Sequence, residues 1–247
     1  MNSMNLANTH RPTTLDEMLL DPMQQKMIES WINSKSFPTA ILISGLYGVG
    51  KTTLARILER FIVCRTHDLC GKCKGCQHQE SGHFQVNMML KNSVTDVKKI
   101  VAYSEHRSLL RERNQAFICD EVQGLSSQGQ GAWLSSLEEP TNHPSCVSHW
   151  ILVTSSSDSL LPAIRSRCRR IELIPPTDEQ LVQKLTYIAE KEGLDLTAAM
   201  QPLFLDIAQK SGGHVRDAVM SLEAVLPLLL GGEDPNSLKR LIYKSEK

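Results

Sequence analysis

The stretch Gly45-Leu46-Tyr47-Gly48-Val49-Gly50-Lys51-Thr52-Thr53 follows a short apolar run at positions 39–44. An apolar run of this length, ending in glycines, is typical of a buried parallel strand that turns into a helix. The helix is predicted by Leu54, Ile57, Leu58, Phe61 and Ile62, which recur at three- and four-residue spacing. The stretch therefore predicts a strand, a glycine-rich loop and a helix in immediate succession.

The spacing G-x-x-x-x-G-K-T is that of a loop whose backbone N–H groups surround phosphate oxygens at a helix N-terminus. It predicts an ATP site in which Lys51 neutralises the β- and γ-phosphates and Thr52 ligates Mg²⁺. The nucleotide contacts are predicted for Gly45, Tyr47, Gly48, Val49, Gly50, Lys51, Thr52 and Thr53. A glycine-rich turn that matches by chance is the alternative.

A second apolar run, 115–119, ends in the two carboxylates Asp120 and Glu121. At the end of a buried strand Asp120 would lie near the Mg²⁺, and Glu121 would polarise an attacking water. Adjacent acids at a strand end are common, so this prediction depends on the glycine-rich loop being present as well. Together the two motifs predict a nucleotide-hydrolysing site.

Four of the seven cysteines crowd together in the pattern C-x5-C-x2-C-x2-C, at Cys64, Cys70, Cys73 and Cys76. Four thiolates at this spacing can close a tetrahedron around Zn²⁺ and leave no open position, which predicts a structural metal site. The small residues of Cys70-Gly71-Lys72-Cys73-Lys74-Gly75-Cys76 suit a tight turn around a metal. Free thiols and an iron–sulfur cluster are the alternatives.

Further strands are predicted at 149–154 and 170–173, and helices at 94–109 and 130–137. This alternation up to about residue 175 indicates a parallel α/β sheet covered on both faces. After Pro175-Pro176 a capping box at 177–180 opens a run of helical segments with no further strand pattern. The prediction is an α/β domain at 1–175 with a zinc module at about 64–80, followed by a small helical domain at 176–247.

The 27 basic and 27 acidic side chains cancel, so the composition predicts no broad positive surface for nucleic acid. No stretch of about 18 uncharged apolar residues is present, and the polar N-terminus lacks the apolar core of a signal peptide. We therefore expect no membrane partner and a cytoplasmic location.

These motifs resemble the bacterial DNA polymerase III clamp loader subunits, tau/gamma and delta-prime, within the AAA+ ATPases. The resemblance covers almost the whole chain. It is carried by 10–12, the cysteine cluster, Asp120-Glu121-Val122, Leu137-Glu138-Glu139-Pro140, Ser166-Arg167-Cys168 and 213–217. It implies a P-loop AAA+ sheet domain with an inserted zinc module, followed by a helical lid domain.

The resemblance also implies further site residues. Arg167, in the Ser-Arg-Cys triplet, would reach into the ATP site of a neighbouring subunit, and Arg216 would sense the γ-phosphate within its own chain. Thr154 and Ser155 would hold the attacking water or the γ-phosphate, and Arg11, in the opening segment, would contact the nucleotide. The alternatives are a surface arginine, a solvated arginine at a helix start and ordinary hydroxyls at a strand end.

As a function, the resemblance implies an ATPase motor subunit that helps load a sliding clamp onto primed DNA. Its partners would be other clamp loader subunits, the clamp and primer–template DNA. A third, collar domain of the family has no room before Lys247, so ring assembly would need a collar not present in this chain. The alternatives are a nucleotide-binding stator with little turnover, or an AAA+ ATPase of helicase loading or branch migration.

Overall fold

The computed structural model describes residues 5–77, 83–108, 114–138, 142–143 and 146–242. Contacts divide the chain into two units. We call residues 22–45 with 51–173 the sheet unit, and residues 1–21, 46–50 and 174–247 the helical unit. Residues 78–80 of the predicted zinc module, Glu139 and Pro140 of the resemblance motif, and 243–247 of the predicted helical domain lie outside the described residues.

Five parallel strands form the centre of the sheet unit. They are β1 (Ala40–Gly45), β2 (His83–Asn87), β3 (Gln115–Asp120), β5 (Cys146–Val153) and β6 (Arg169–Leu173). Their spatial order is β2-β3-β5-β1-β6, and the short β4 (Asn142–His143) pairs antiparallel with β5. The predicted parallel sheet is confirmed, and β5 lies between the strand that precedes the glycine-rich loop and the strand that ends in Asp120.

Helices cover the strands of the sheet unit and make up most of the helical unit. In the part of the chain that the structure describes, the α-helices are α1 (Leu6–Thr9), α2 (Pro22–Ser34), α3 (Lys51–Val63), α4 (Val94–Ser108), α5 (Ser127–Gly131), α6 (Leu134–Glu138), α7 (Pro162–Arg167), α8 (Asp178–Lys191), α9 (Gln201–Ser211) and α10 (Val215–Leu230). Single turns of 3₁₀ helix span Val122–Gly124, Ser157–Ser159 and Ala198–Met200, and a longer one spans Pro235–Leu241.

The core of the sheet unit explains why its strands read as continuous apolar runs. Ile41, Leu42 and Ile43 of β1 are fully buried, as expected for a strand with helices on both faces. On one face Trp133 packs edge-on against Trp150 of β5, with 5.5 Å between ring centroids. Burial of such large rings supplies much of the apolar area that holds the sheet to its helices.

The helical unit has a core of its own, built by the inward faces of α8, α9 and α10. Its first helix starts at the predicted capping box, with Thr177 accepting a hydrogen bond from the Gln180 N–H. The N-terminal segment belongs to this unit. The Leu6 N–H donates to Glu223 at 2.8 Å, and His10 Nε2 lies 2.5 Å from a Glu192 carboxylate oxygen.

The structure departs from the sequence interpretation in three places. β2 was not predicted, because its five residues, His83–Asn87, form no continuous apolar run. The helix predicted over 130–137 is two short helices, α5 and α6. The contacts also group residues 1–21 and 46–50 with the helices, whereas the sequence division placed all of 1–175 in one domain.

Candidate nucleotide-binding site and zinc module

Gly45 ends β1 in a conformation that only glycine adopts easily. Its φ is +139°, and a Cβ atom at this position would lie 2.7 Å from the carbonyl oxygen of Leu173 on β6. Further along the loop, Gly48 and Gly50 also have positive φ, of 75° and 105°. These backbone angles explain why the spacing of the motif requires glycine at these positions.

Lys51 and Thr52 open α3 at the carboxyl end of the sheet. Lys51 is 7% exposed, and its ammonium donates to the Gly45 carbonyl at 2.9 Å. The Thr52 hydroxyl donates to a carboxylate oxygen of Asp120 at 3.0 Å. Two side chains predicted separately as Mg²⁺ ligands, 68 positions apart in sequence, are therefore in direct contact.

Burial raises the pKa of the Asp120 carboxyl, and the neighbouring charge of Glu121 adds to the effect. The hydrogen bond from Thr52 and the charge of Lys51 act in the opposite direction but do not cancel it. A partly buried carboxylate with too little positive charge near it is a suitable ligand for a hard cation such as Mg²⁺. The donor set of Thr52 and Asp120 thus fits the predicted metal.

Glu121 directly follows β3 in a left-handed conformation, with φ 57° and ψ 43°. This backbone is unusual for a residue other than glycine and costs on the order of 1 kcal/mol. The Glu121 N–H donates to Asp120 Oδ1 at 3.1 Å, and Gln123 donates to the Glu121 carboxylate. Strained backbone held by surrounding contacts is a common feature of functional sites.

Thr154 and Ser155 directly follow β5, beside the end of β3. Thr154 is fully buried, and its hydroxyl accepts from the Ser156 N–H at 3.0 Å and lies 2.8 Å from Gln123 Oε1. Ser155 is exposed and accepts from Gln123 Nε2 at 2.9 Å. The structure therefore brings both hydroxyls to the same edge as Asp120 and Glu121, through a glutamine that no sequence motif had singled out.

Arg216, Tyr47 and Gly48 are in contact within the helical unit. The Arg216 guanidinium lies over the Tyr47 ring, 5.3 Å from its centroid, and donates to the Tyr47 hydroxyl at 2.7 Å. The Arg216 N–H also donates to the Gly48 carbonyl at 3.2 Å. The start of α10 is thus joined to the glycine-rich loop. Arg11 lies in the same unit, just after α1.

Arg167 is the last residue of α7. Its guanidinium donates to a Glu138 carboxylate oxygen from Nε at 2.7 Å and to the Ala163 carbonyl at 2.8 Å. Glu138 was not singled out as a partner, because no spacing rule connects residues 29 positions apart on two helices. In this conformation the arginine is held within its own chain.

The four predicted cysteine ligands form one cluster, with their Sγ atoms all within 4.8 Å of one another. Cys70 and Cys76 are 4.0 Å apart. Tetrahedral Zn²⁺ with Zn–S bonds of about 2.3 Å requires S–S separations of about 3.8 Å, so the cluster fits this ion. The four soft ligands thus lie together as a structural zinc site requires.

The backbone around the cluster is tight at Gly75. A Cβ atom there would lie 2.4 Å from the Val63 carbonyl oxygen, at the end of α3.

The thiols of the cysteine cluster differ strongly in acidity. Burial opposes ionisation of the Cys64 thiol, but hydrogen bonds with Thr66 and with nearby backbone outweigh this effect and lower the pKa of Cys64 to about 5. Burial raises the pKa of the Cys76 thiol to about 12.

Residues 21–177 of this chain match the family described as DNA polymerase III, delta subunit. The match covers the sheet unit from α2 to the end of β6. The chain belongs to the DNA polymerase III delta subunit family. The resemblance to DNA polymerase III clamp loader subunits that the motifs indicated is therefore confirmed.

Curated relatives of this delta-family chain carry DNA polymerase III names. It is 30% identical to the gamma subunit of Buchnera aphidicola subsp. Baizongia pistaciae, over 99% of this chain and 65% of that protein. It is 28% identical to the tau subunit of Escherichia coli, over 87% of this chain and 33% of that subunit. The chain therefore spans about two thirds of the first relative and one third of the second.

Solved structures share the fold of this delta-family chain. The Holliday junction branch migration motor RuvB of Thermotoga maritima superposes with a TM-score of 0.69 at 20% identity, over 94% of this chain and 72% of RuvB. The parallel sheet and its helices thus have the same fold as RuvB. Among the residues that the structure describes, no helix has both the length and the apolar character needed to cross a bilayer.

We predict about one Zn²⁺ per chain, bound by the four cysteines. Because Zn²⁺ displaces protons from the thiols, the affinity for Zn²⁺ should fall as pH is lowered and protons compete for the thiolates. Metal analysis of the purified protein measures the content. A chelator should make the four cluster thiols newly reactive toward a thiol reagent. Cys119 and Cys168 are buried, so they should contribute little to this increase. An absorbing iron cluster, or no metal at all, contradicts the assignment.

Gly75→Ala tests the same module from the backbone. The added Cβ would clash with the Val63 carbonyl, so zinc content should drop well below that of the unmodified chain. Lys72→Ala is the matched control, because Lys72 lies in the same loop and its side chain is exposed, so shortening it creates no clash. Equal zinc content in both variants would show that the described loop geometry is not required for binding.

We predict that Asp120→Asn raises the melting temperature of the nucleotide-free protein at pH 7, by on the order of a few degrees. The folded pKa of Asp120 is above its ordinary value of 3.8, so the ionised form costs stability once pH exceeds the folded pKa. Below about pH 3.8 both states bind the proton and the gain should disappear. Thermal melts across pH, without Mg²⁺, check the sign. A lower melting temperature at pH 7 would contradict it.

Proposed function

We propose that this chain is an ATP-hydrolysing motor subunit of a clamp loader, which helps load a sliding clamp onto primed DNA. The observation that carries the proposal is the contact between Thr52 and Asp120, at 3.0 Å, beside the buried Lys51. It unites the phosphate-binding loop with the acidic strand end, as an enzyme that binds Mg²⁺ and ATP requires. The gamma and tau relatives support the choice of a clamp loader.

In this proposal each residue at the carboxyl edge has one task. Lys51 and the N–H groups at the start of α3 bind the phosphates, because a helix N-terminus attracts anions. Thr52 and Asp120 hold Mg²⁺, which neutralises charge on the phosphate oxygens. Glu121 accepts the proton of the attacking water as the bond to the γ-phosphate breaks, giving ADP and phosphate.

The helical unit would act as a lid domain, with Arg216 as the residue that senses the γ-phosphate. Its support is the contact of Arg216 with Tyr47 and Gly48 of the phosphate-binding loop. Arg11, in the opening segment of the same unit, would contact the nucleotide. Thr154 and Ser155 would hold the attacking water, and the cysteine cluster would hold Zn²⁺ in a purely structural role.

Arg167 would complete the ATP site of a neighbouring subunit. Its contact with Glu138 is at the surface, with the two side chains 29% and 48% exposed. Such pairs contribute about 0–1 kcal/mol, whereas an arginine finger contributes roughly 4 to 7 kcal/mol at the transition state. Because the stabilisation of the transition state is the greater of the two energies, Glu138 can hold the arginine in the free chain without preventing its transfer to a partner.

The partners implied are other clamp loader subunits, the clamp and primer–template DNA. A stator with little turnover is the competing interpretation, and the paired Asp120 and Glu121 favour hydrolysis instead. Branch migration has support only from the likeness to RuvB, which at 20% identity concerns the fold alone. The proposal therefore stays with the loader.

Binding and hydrolysis should separate in two variants. Lys51→Ala removes phosphate contacts and should lose most ATP affinity, whereas Glu121→Gln should bind ATP normally and hydrolyse it at least about 10²-fold more slowly. Equilibrium binding of a fluorescent ATP analogue and single-turnover hydrolysis, both in the assembled complex, measure the two effects. Hydrolysis by Glu121→Gln at the unmodified rate would show that another group accepts the proton.

A mixing experiment tests the shared site. The isolated chain should bind ATP but hydrolyse it slowly, and partner subunits should raise turnover by up to about 10³-fold. Arg167→Ala should spare binding in its own site and damage hydrolysis in the adjoining one. In complexes that hold several copies of this chain, Arg167→Ala and Lys51→Ala subunits should partly restore activity when combined.

Arg165→Ala is the matched control for this experiment, since Arg165 lies on the same helix, is also 29% exposed and pairs with Asp158 at 2.9 Å. It should leave turnover unchanged. Full stimulation of Arg167→Ala by partner subunits, or an equal loss in both variants, would reject the finger.

A further inference from the structure

Gln123 lies in the 3₁₀ turn after β3, two positions beyond Glu121, and joins two strand ends. Its amide nitrogen donates to the Glu121 carboxylate and, at 2.9 Å, to the Ser155 hydroxyl. Its amide oxygen lies 2.8 Å from the Thr154 hydroxyl, which donates to it. One side chain thus contacts the proposed proton acceptor and both hydroxyls of the adjacent strand end.

The chemistry of these contacts selects an amide. A carboxylate and an accepting hydroxyl both need a donor, and a donating hydroxyl needs an acceptor. Glutamine supplies two N–H donors and one carbonyl oxygen at the end of the same side chain. Glutamate would place a second negative charge against Glu121, and asparagine is one methylene shorter. The site therefore uses both the donating nitrogen and the accepting oxygen of this side chain.

The contacts continue into the sheet. The Thr154 N–H donates to the Ile43 carbonyl on β1 at 3.0 Å, and β1 ends two residues later at Gly45. An unbroken path of hydrogen bonds and backbone thus leads from the Glu121 carboxylate, through Gln123 and Thr154, to the strand that carries the phosphate-binding loop. Such a path gives the orientation of Glu121 a physical connection to the loop.

We propose that Gln123 is a positioning residue, which fixes the Glu121 carboxylate against Thr154 and Ser155 so that it meets the attacking water in the productive orientation. This inference rests on the proposed ATPase function. Glu121 needs such support because its backbone is left-handed and its side chain is only half-buried. A misplacement of about 1 Å at a reacting group can cost on the order of 10²-fold in rate.

The test compares Gln123→Met, which keeps the length of the side chain and removes its hydrogen bonds, with Gln128→Met on the exposed face of α5. Both are made in the full-length protein and measured in its assembled complex. Gln123→Met should slow single-turnover hydrolysis by about 10- to 100-fold while ATP affinity stays within about 3-fold. Gln128→Met should change neither.

A double variant shows through which group Gln123 acts. In a Glu121→Gln background, Gln123→Met should cause no further loss, because residues that act as one unit are not additive. Gln123→Glu is the second probe, in case the methionine variant folds poorly. It keeps a polar side chain of the same size, and should slow hydrolysis at least as much because its charge repels Glu121.

A measurement without nucleotide checks the junction itself. Gln123→Met and Thr154→Val should each lower the melting temperature by about 2 to 4 °C, and the double variant should lose no more than the larger single effect. Additive losses would show that the two side chains do not form one hydrogen-bonded unit, and would overturn the proposed linkage.

The outcomes separate the inference from the proposed function. If Glu121→Gln stalls while Gln123→Met hydrolyses at the unmodified rate, the positioning role is wrong and the ATPase proposal stands. If Glu121→Gln hydrolyses normally, the proposed mechanism fails first. If Gln123→Met loses ATP affinity and hydrolysis rate together, Gln123 has another role. The same holds if the losses in rate of Gln123→Met and Glu121→Gln multiply in the double variant.

Discussion

The parallel pairing of β5 between β1 and β3 determines where every polar group of the sheet unit's candidate site lies. Val153 pairs with Ile43 on one side, and Leu152 pairs with Cys119 on the other. Because all three strands run in the same direction, their carboxyl ends meet at one edge. Gly45, Asp120 and Thr154 are thereby brought together from distant parts of the sequence, and the loops that follow each strand carry the remaining site residues.

This arrangement costs stability at the places where function requires it. Lys51 is almost fully buried, burial raises the pKa of the Asp120 carboxyl, and Glu121 has a left-handed backbone. Each of these features is unfavourable in the chain alone, and in the proposed function each would serve phosphate, Mg²⁺ or the attacking water. The apolar core beneath, with Phe117 and Trp150 packed at 4.9 Å between ring centroids, supplies the stability that tolerates them.

Features encoded in consecutive residues could be predicted from the sequence. The glycine-rich loop, β3 with its two acids, the cysteine cluster and the capping box at Thr177 all follow from local spacing. β2 was missed because a short strand at the sheet edge, with His83 and Gln85 among its residues, lacks the apolar run by which buried strands are recognised. The prediction of one helix over 130–137 failed because periodicity does not reveal the break between α5 and α6.

Side-chain contacts between separate elements have no such signal. Gln123 meets Thr154 across 31 positions, and Arg167 meets Glu138 across 29. Both contacts depend on where the sheet holds the turns and helices that carry these residues. A single sequence shows the residues but not the pairing, so these interactions required the structure.

The two pairings also differ in a way that suits different tasks. Thr154 is fully buried and Gln123 is partly buried, so the hydrogen bonds between them are protected from water and hold one geometry. The pair of Arg167 and Glu138 is partly open to solvent, with the two side chains 29% and 48% exposed, so water competes for both charges and the pair contributes little to stability. A group that must keep a fixed orientation is therefore held by buried contacts, whereas a group proposed to serve a neighbour is held by contacts nearer the surface. The same solvent exposure that makes the arginine a weak contributor to the stability of its own chain leaves it able to act in another.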